Sequence, residues 1–101
     1  MKLGEIASLV RSKNAGPFIL TFDVICPSAE TYLRVKTSGA LNVESFSRLY
    51  NCDPATVSFF ECDNARAFKF SMPRPMIQGD LGDGDMHGGQ QFVPLMDVDI
   101  P

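Results

Sequence analysis

Apolar residues alternate with period two from Phe18 to Cys26: Phe18, Leu20, Phe22, Val24 and Cys26 share one side, and Ile19, Thr21, Asp23 and Ile25 the other. Successive side chains of a strand point to opposite faces, so this stretch predicts a β-strand. Asp23 is its one charge. A carboxylate among so many apolar neighbours must be paired or is costly to bury, so Asp23 is a candidate both for a structural ion pair and for a site. Upstream, Leu3, Ile6, Ala7, Leu9 and Val10 recur at helical spacing, with Lys2, Glu5, Ser8 and Arg11 opposite them. That pattern predicts an amphipathic helix over roughly residues 2 to 12. Gly16-Pro17 would end it, because glycine suits a left-handed cap and proline cannot continue the ladder.

Downstream, Ser28 precedes an acidic first turn and reads as an N-cap. The helix it opens carries Tyr32, Leu33 and Val35 and stops at Ser38-Gly39. Asn42 offers a second cap, for a helix through Phe46, Leu49 and Tyr50 that Asn51 to Pro54 breaks. Thr56 to Cys62 and Ala65 to Met72 read as strands joined at Asp63-Asn64, hence an antiparallel hairpin. Phe92 to Ile100 reads as a last strand, with Pro94 placing its start at a sheet edge or an irregularity. The order helix, strand, helix, helix, strand, strand, loop, strand predicts an α+β domain: a four-stranded, mainly antiparallel sheet with helices on one face.

Composition narrows the class. One hundred and one residues make one domain. A net charge of −3 with no basic stripe argues against nucleic acid as a partner. No apolar run approaches the roughly 18 residues of a membrane span, and charges at Lys2, Glu5, Arg11 and Lys13 leave no signal-peptide core. Cys26, Cys52 and Cys62 share no metal or redox spacing and read as small buried hydrophobes of a cytoplasmic protein.

The candidate chemistry gathers in two places. Arg74 to Phe92, RPMIQGDLGDGDMHGGQQF, holds five of the eight glycines and the only histidine. Long stretches of this kind in compact domains are either functional or flexible connectors. Asp80, Asp83, Asp85 and His87 form a hard donor set suited to Mg²⁺, Mn²⁺ or Ca²⁺, or else they are paired by Arg74, Lys69 or Lys13. His87 among glycines is a candidate general acid or base, with Asp85 or Asp23 as its partner. No serine or cysteine has the setting of an activated nucleophile. Earlier, Lys13, Asn14 and Gly16 place a cation and an amide on a tight turn, where a carboxylate or phosphate would fit; a solvated helix end is the plainer alternative.

KNAGPF at 13–18, TFD at 21–23, RP at 74–75, QGD at 78–80, DGD at 83–85 and HGGQQ at 87–91 resemble the small bacterial family known as domain of unknown function 4387. In layout that family is similar to the C-terminal ferredoxin-like domain of acyclic terpene utilisation protein A. An RSGDKG-type turn there takes the place of Arg11 to Gly16, and a D-x-QGK segment that of Asp85 to Gln91. The resemblance implies a ferredoxin-like sandwich working beside a larger acyclic terpene utilisation-type protein, in small-acid or acyl-CoA catabolism. Catalytic candidates are then His87, Asp85 and Asp23. Ligand-binding candidates are Lys13, Asn14, Gly16, Lys69, Arg74, Gln78, Asp80, Gln90 and Gln91, and Asp83, Asp85 and His87 are the metal candidates. Three readings stand open: an accessory subunit closing a carboxylate or acyl-CoA site, a free-standing hydratase or lyase using His87, and a structural interaction module. Self-association is the other way to close a site on so small a domain.

Overall fold

In the computed structural model, which describes residues 1–16, 18–73 and 93–101, the alternating stretch forms a central strand. This strand, Ile19–Ile25, is β2 in chain order. On one side it pairs antiparallel with β1 (Leu9–Asn14), on the other with β4 (Ala67–Pro73), and β4 pairs antiparallel with β3 (Ser58–Cys62). The sheet order is β1-β2-β4-β3. The two hairpins are local in sequence. Between them the chain makes α2 (Ala29–Ser38) and α3 (Val43–Tyr50), and short helices α1 (Leu3–Ile6) and α4 (Val93–Met96) lie near the chain ends.

The period-two pattern decides which face holds the core. Leu20, Phe22 and Val24 of β2, and Phe68, Phe70 and Met72 of β4, are buried beneath α2 and α3. Phe46 of α3 stacks on Phe70 with ring centroids 4.3 Å apart and meets Phe22 edge-on at 5.0 Å. Tyr32 of α2 stacks on Phe68 at 4.8 Å. Both helices therefore cover the same side of the sheet, an α+β layering compatible with a ferredoxin-like arrangement. Their starts are capped as the sequence suggests. Ser28 Oγ accepts from the Thr31 N–H, and Asn42 Oδ1 from the Ser45 N–H. Gly39 at φ 72° closes α2 in a left-handed conformation that costs glycine least.

Both chain ends differ from expectation. Only Leu3–Ile6 is helical in the stretch read as one helix; from Leu9 the chain is extended. Leu3 and Val10 do both reach the core, as helical spacing implies, but from two different elements. A lone helix of that length is marginal, whereas six extended residues gain a complete ladder with β2. The segment that ends β1 is accordingly a hairpin turn rather than a helix terminus, with Gly16 at φ 87°. At the other end no continuous strand forms. Val93–Met96 is one helical turn, and only Asp99 makes a bridge, to Lys2. Pro94 sits in that first turn, where its missing N–H would be unsatisfied anyway. Four strands still result, because β1 replaces the expected last one. The cysteines also part ways: Cys26 is buried, Cys52 half-buried and Cys62 exposed. Cys62 belongs to edge strand β3, whose outer side carries no neighbour among the named strands.

Candidate functional site

Side chains at alternate positions of the four strands make the second face of the sheet, the one turned from α2 and α3. The register sets them in cross-strand rows. One row runs Arg11, Asp23, Lys69, Phe60; a second runs Lys13, Thr21, Ser71, Ser58; a third runs Leu9, Ile25, Ala67, Cys62. Arg11 Nε donates to Asp23 Oδ2 at 3.0 Å. The Asp23 side chain keeps 15% of its surface exposed, against 52% for Arg11. Asp23 is thus a largely covered carboxylate held, among the described residues, by a strand neighbour. In the sequence Arg11 reads as a polar-face residue of a helix and as the start of a turn motif. Reading residues 9–14 as a strand is what would have set it opposite Asp23.

Among the described residues of the four strands, three cations, Arg11, Lys13 and Lys69, share this face with one carboxylate, Asp23. These strand residues make the face two charges positive on a chain whose net charge is −3. Lys69, grouped by sequence with the ligand-binding residues, stands mid-sheet directly across from Asp23. Lys13 lies nearer the β1–β2 turn, in the row of Thr21, whose Oγ1 donates to the Lys13 carbonyl at 3.4 Å. Asn14 follows it on the strand, so the alternation turns it toward the helix-covered face. Lys13 and Asn14 therefore do not flank one ligand on the open face; they converge only at the rim, where the hairpin turns.

That rim is where the glycine-rich segment begins. Pro73, the last residue of β4, lies opposite Ile19 of β2. The Ile19 carbonyl in turn accepts from the Ala15 N–H at 2.9 Å. The turn bearing Lys13, Asn14 and Gly16 and the departure point toward Arg74 thus share one end of the sheet. Arg74, Gln78, Asp80, Asp83, Asp85, His87, Gln90 and Gln91 lie outside the described residues, so the expected meeting of Asn14 with His87 and the cation set at Asp83, Asp85 and His87 fall there too. Among the described residues no three His, Cys, Asp or Glu side chains gather where they could hold a metal ion.

On the other layer is a cluster that sequence reading missed. Tyr32 Oη donates to Asp63 Oδ1 at 2.6 Å, and Lys36 Nζ donates to the same oxygen at 3.1 Å. Burial, then the Asp63 carboxylate, pushes the Tyr32 phenol well above its ordinary value. The Tyr32 bond and then Lys36 hold Asp63 below the usual carboxylate range. The cluster ties α2 to the β3–β4 turn. A small apolar depression between α3 and α4, lined by Leu41, Phe46, Leu49 and Leu95 among others, encloses only about 10 Å³. It falls far short of the roughly 300–1,000 Å³ of a small-molecule pocket.

The family described as "Domain of unknown function (DUF4387)" matches residues 3–99. The chain belongs to this family. No curated protein and no solved structure matches it. The DUF4387 match spans both hairpins, both long helices and the whole glycine-rich segment, so the sheet rim and that segment belong to a single family unit. No helix among its described residues is long and apolar enough to cross a membrane.

Proposed function

We propose that this chain is an accessory subunit in small-acid catabolism. It completes a carboxylate or acyl-CoA site together with a larger acyclic terpene utilisation-type protein in the cytoplasm. The observation that carries the reading is the shared sheet end: Pro73 opposite Ile19, and Ile19 bonded to Ala15, bring the Lys13–Gly16 turn to the root of the segment holding His87. Lys13, Asn14 and Gly16 would then meet the anionic group of the ligand, with Arg74, Gln78, Asp80, Gln90 and Gln91 contributing from the segment. His87, with Asp85, is the acid–base pair of the hydratase or lyase chemistry this reading assigns to the assembly. Asp83, Asp85 and His87 are also the residues that would hold a divalent cation. Asp23, closed off by Arg11 at 3.0 Å, serves better as a support of the sheet than as a proton carrier.

Enzyme sites need a concave, water-excluding pocket, and among the described residues the depression between α3 and α4 is too small to be one. A second protein surface over the rim would. The test is turnover of acyl-CoA and hydroxy-acid substrates by the purified chain, by the larger protein, and by their mixture. Turnover in the mixture alone, reduced at least about tenfold by His87→Ala with binding intact, is the expected result. Full turnover by the chain alone, abolished in His87→Ala, would instead make it a free-standing enzyme.

A further inference from the structure

We propose that the open face of the sheet is a docking surface for an acidic patch on the larger partner protein, an inference that rests on the subunit reading above. Among the described residues, α2 and α3 cover only the opposite face. Phe60 is 59% exposed on the outer strand of the open face, with Leu9 at 44% on the opposite edge and Ile19 at 37% at the other end of β2 from Leu9. Arg11, Lys13 and Lys69 stand between these apolar groups. Exposed aromatic and aliphatic anchors around arginine are the makings of a protein interface.

Charge chooses the occupant. A second copy applied face to face would set two positive charges against two, so the same patch is poorly suited to pair with itself. A small anion is poorly served as well. Lys13 and Lys69 lie in different rows on strands separated by β2, with Arg11 engaged by Asp23, so the cations do not converge on one point. A broad surface of opposite sign satisfies all three. Size agrees. Four strands at ~4.8 Å spacing, each ~20 Å long, cover roughly 400 Å² in projection. That is about half of the ~800 Å² each partner gives to a stable interface. The adjoining rim, with Phe18 exposed and Lys13 beside the turn, extends it toward the proposed ligand site. Docking on this face therefore carries the Lys13–Gly16 turn onto the partner.

The experiment is titration calorimetry of the purified chain against the larger acyclic terpene utilisation-type protein, at low and physiological salt. Phe60→Ser and Lys69→Gln alter the face, and Leu33→Ser alters an equally exposed position on α2. Thermal unfolding confirms that each variant is folded. The proposal expects Phe60→Ser and Lys69→Gln to weaken binding about tenfold. Leu33→Ser should bind as wild type. Wild-type affinity should fall with salt, and Lys69→Gln should flatten that dependence. If wild type binds and the face variants bind equally well, the docking surface is refuted while the subunit reading stands. If folded wild type does not bind the larger protein, the subunit reading fails and the docking proposal with it. A wild-type dimer that Phe60→Ser dissolves would overturn the acidic occupant in favour of a second copy.

Discussion

Removing the Arg11 side chain tests how the sheet holds Asp23. Arg11→Ala deletes the 3.0 Å contact to a carboxylate that is only 15% exposed. Broken buried pairs cost about 3–5 kcal/mol, while exposed pairs contribute about 0.2–1 kcal/mol. Asp23 lies between these limits, and Lys69 stands directly opposite it on β4. Cross-strand partners have Cβ atoms roughly 5 Å apart, within reach of a lysine ammonium. Lys69 therefore takes over when Arg11 is lost, and the single variant should cost only about 1 kcal/mol. Lys69→Ala alone, with Arg11 in place, should cost about 0.5 kcal/mol or less. The two together leave a covered carboxylate with no cation directly across from it and should cost about 3 kcal/mol, well beyond the sum. In an Asp23→Ala background the excess should vanish. Urea unfolding followed by circular dichroism reads these differences as midpoint shifts at constant slope. In thermal unfolding each kcal/mol corresponds to about 4–8 °C for a domain of this size. Additivity of Arg11→Ala and Lys69→Ala within about 0.5 kcal/mol would refute the reasoning, since independent sites behave that way.

Two further outcomes are expected. Phe46, fully buried among Phe22, Tyr50 and Phe70, should cost about 3–5 kcal/mol on Phe46→Ala, most of a small domain's stability, and chemical denaturation would show it. Because the fold lowers the Asp63 carboxyl, its contribution is fully present above the ordinary carboxylate pKa of about 4 and is lost as pH falls through the lowered folded value. The stability gap between wild type and Asp63→Asn should therefore close on acidification from about pH 5 to about pH 2; a gap that persists at pH 2 would show that the Tyr32 and Lys36 contacts do not act through the charge.

Where a residue's local surroundings and its tertiary role agree, the chain is readable. The alternation of β2, the Phe68-Phe70-Met72 face of β4 and the caps at Ser28 and Asn42 all follow from neighbours close in sequence. Residues 2–12 mislead because Leu3 and Val10, seven apart, occupy one face of a helix as readily as they serve two elements that meet at one core. The brief apolar run at 93–96 is equally ambiguous, since short runs do not separate helix from strand. The same error hid Arg11 as the partner of Asp23, because only a strand at 9–14 sets the two side by side. The Lys13–Gly16 turn closes a hairpin rather than a helix for the same reason, since its element depends on residues 9–14 being extended. The Tyr32–Asp63–Lys36 cluster joins residues far apart in the chain, and nothing local to any of them announces it.

The pairing of β2 with β4 also governs how the sheet assembles. Each hairpin closes a short stretch of chain, on the order of microseconds for such units. The seam between them joins strands that have two helices and an entire strand between them in sequence. Its loop-closure entropy is lost before any of its rungs form, and the ladder and the Phe22, Phe46 and Phe70 contacts then offset it. The aromatic cluster that anchors α3 thus also sits on the seam whose closure spans the longest stretch of chain in the sheet.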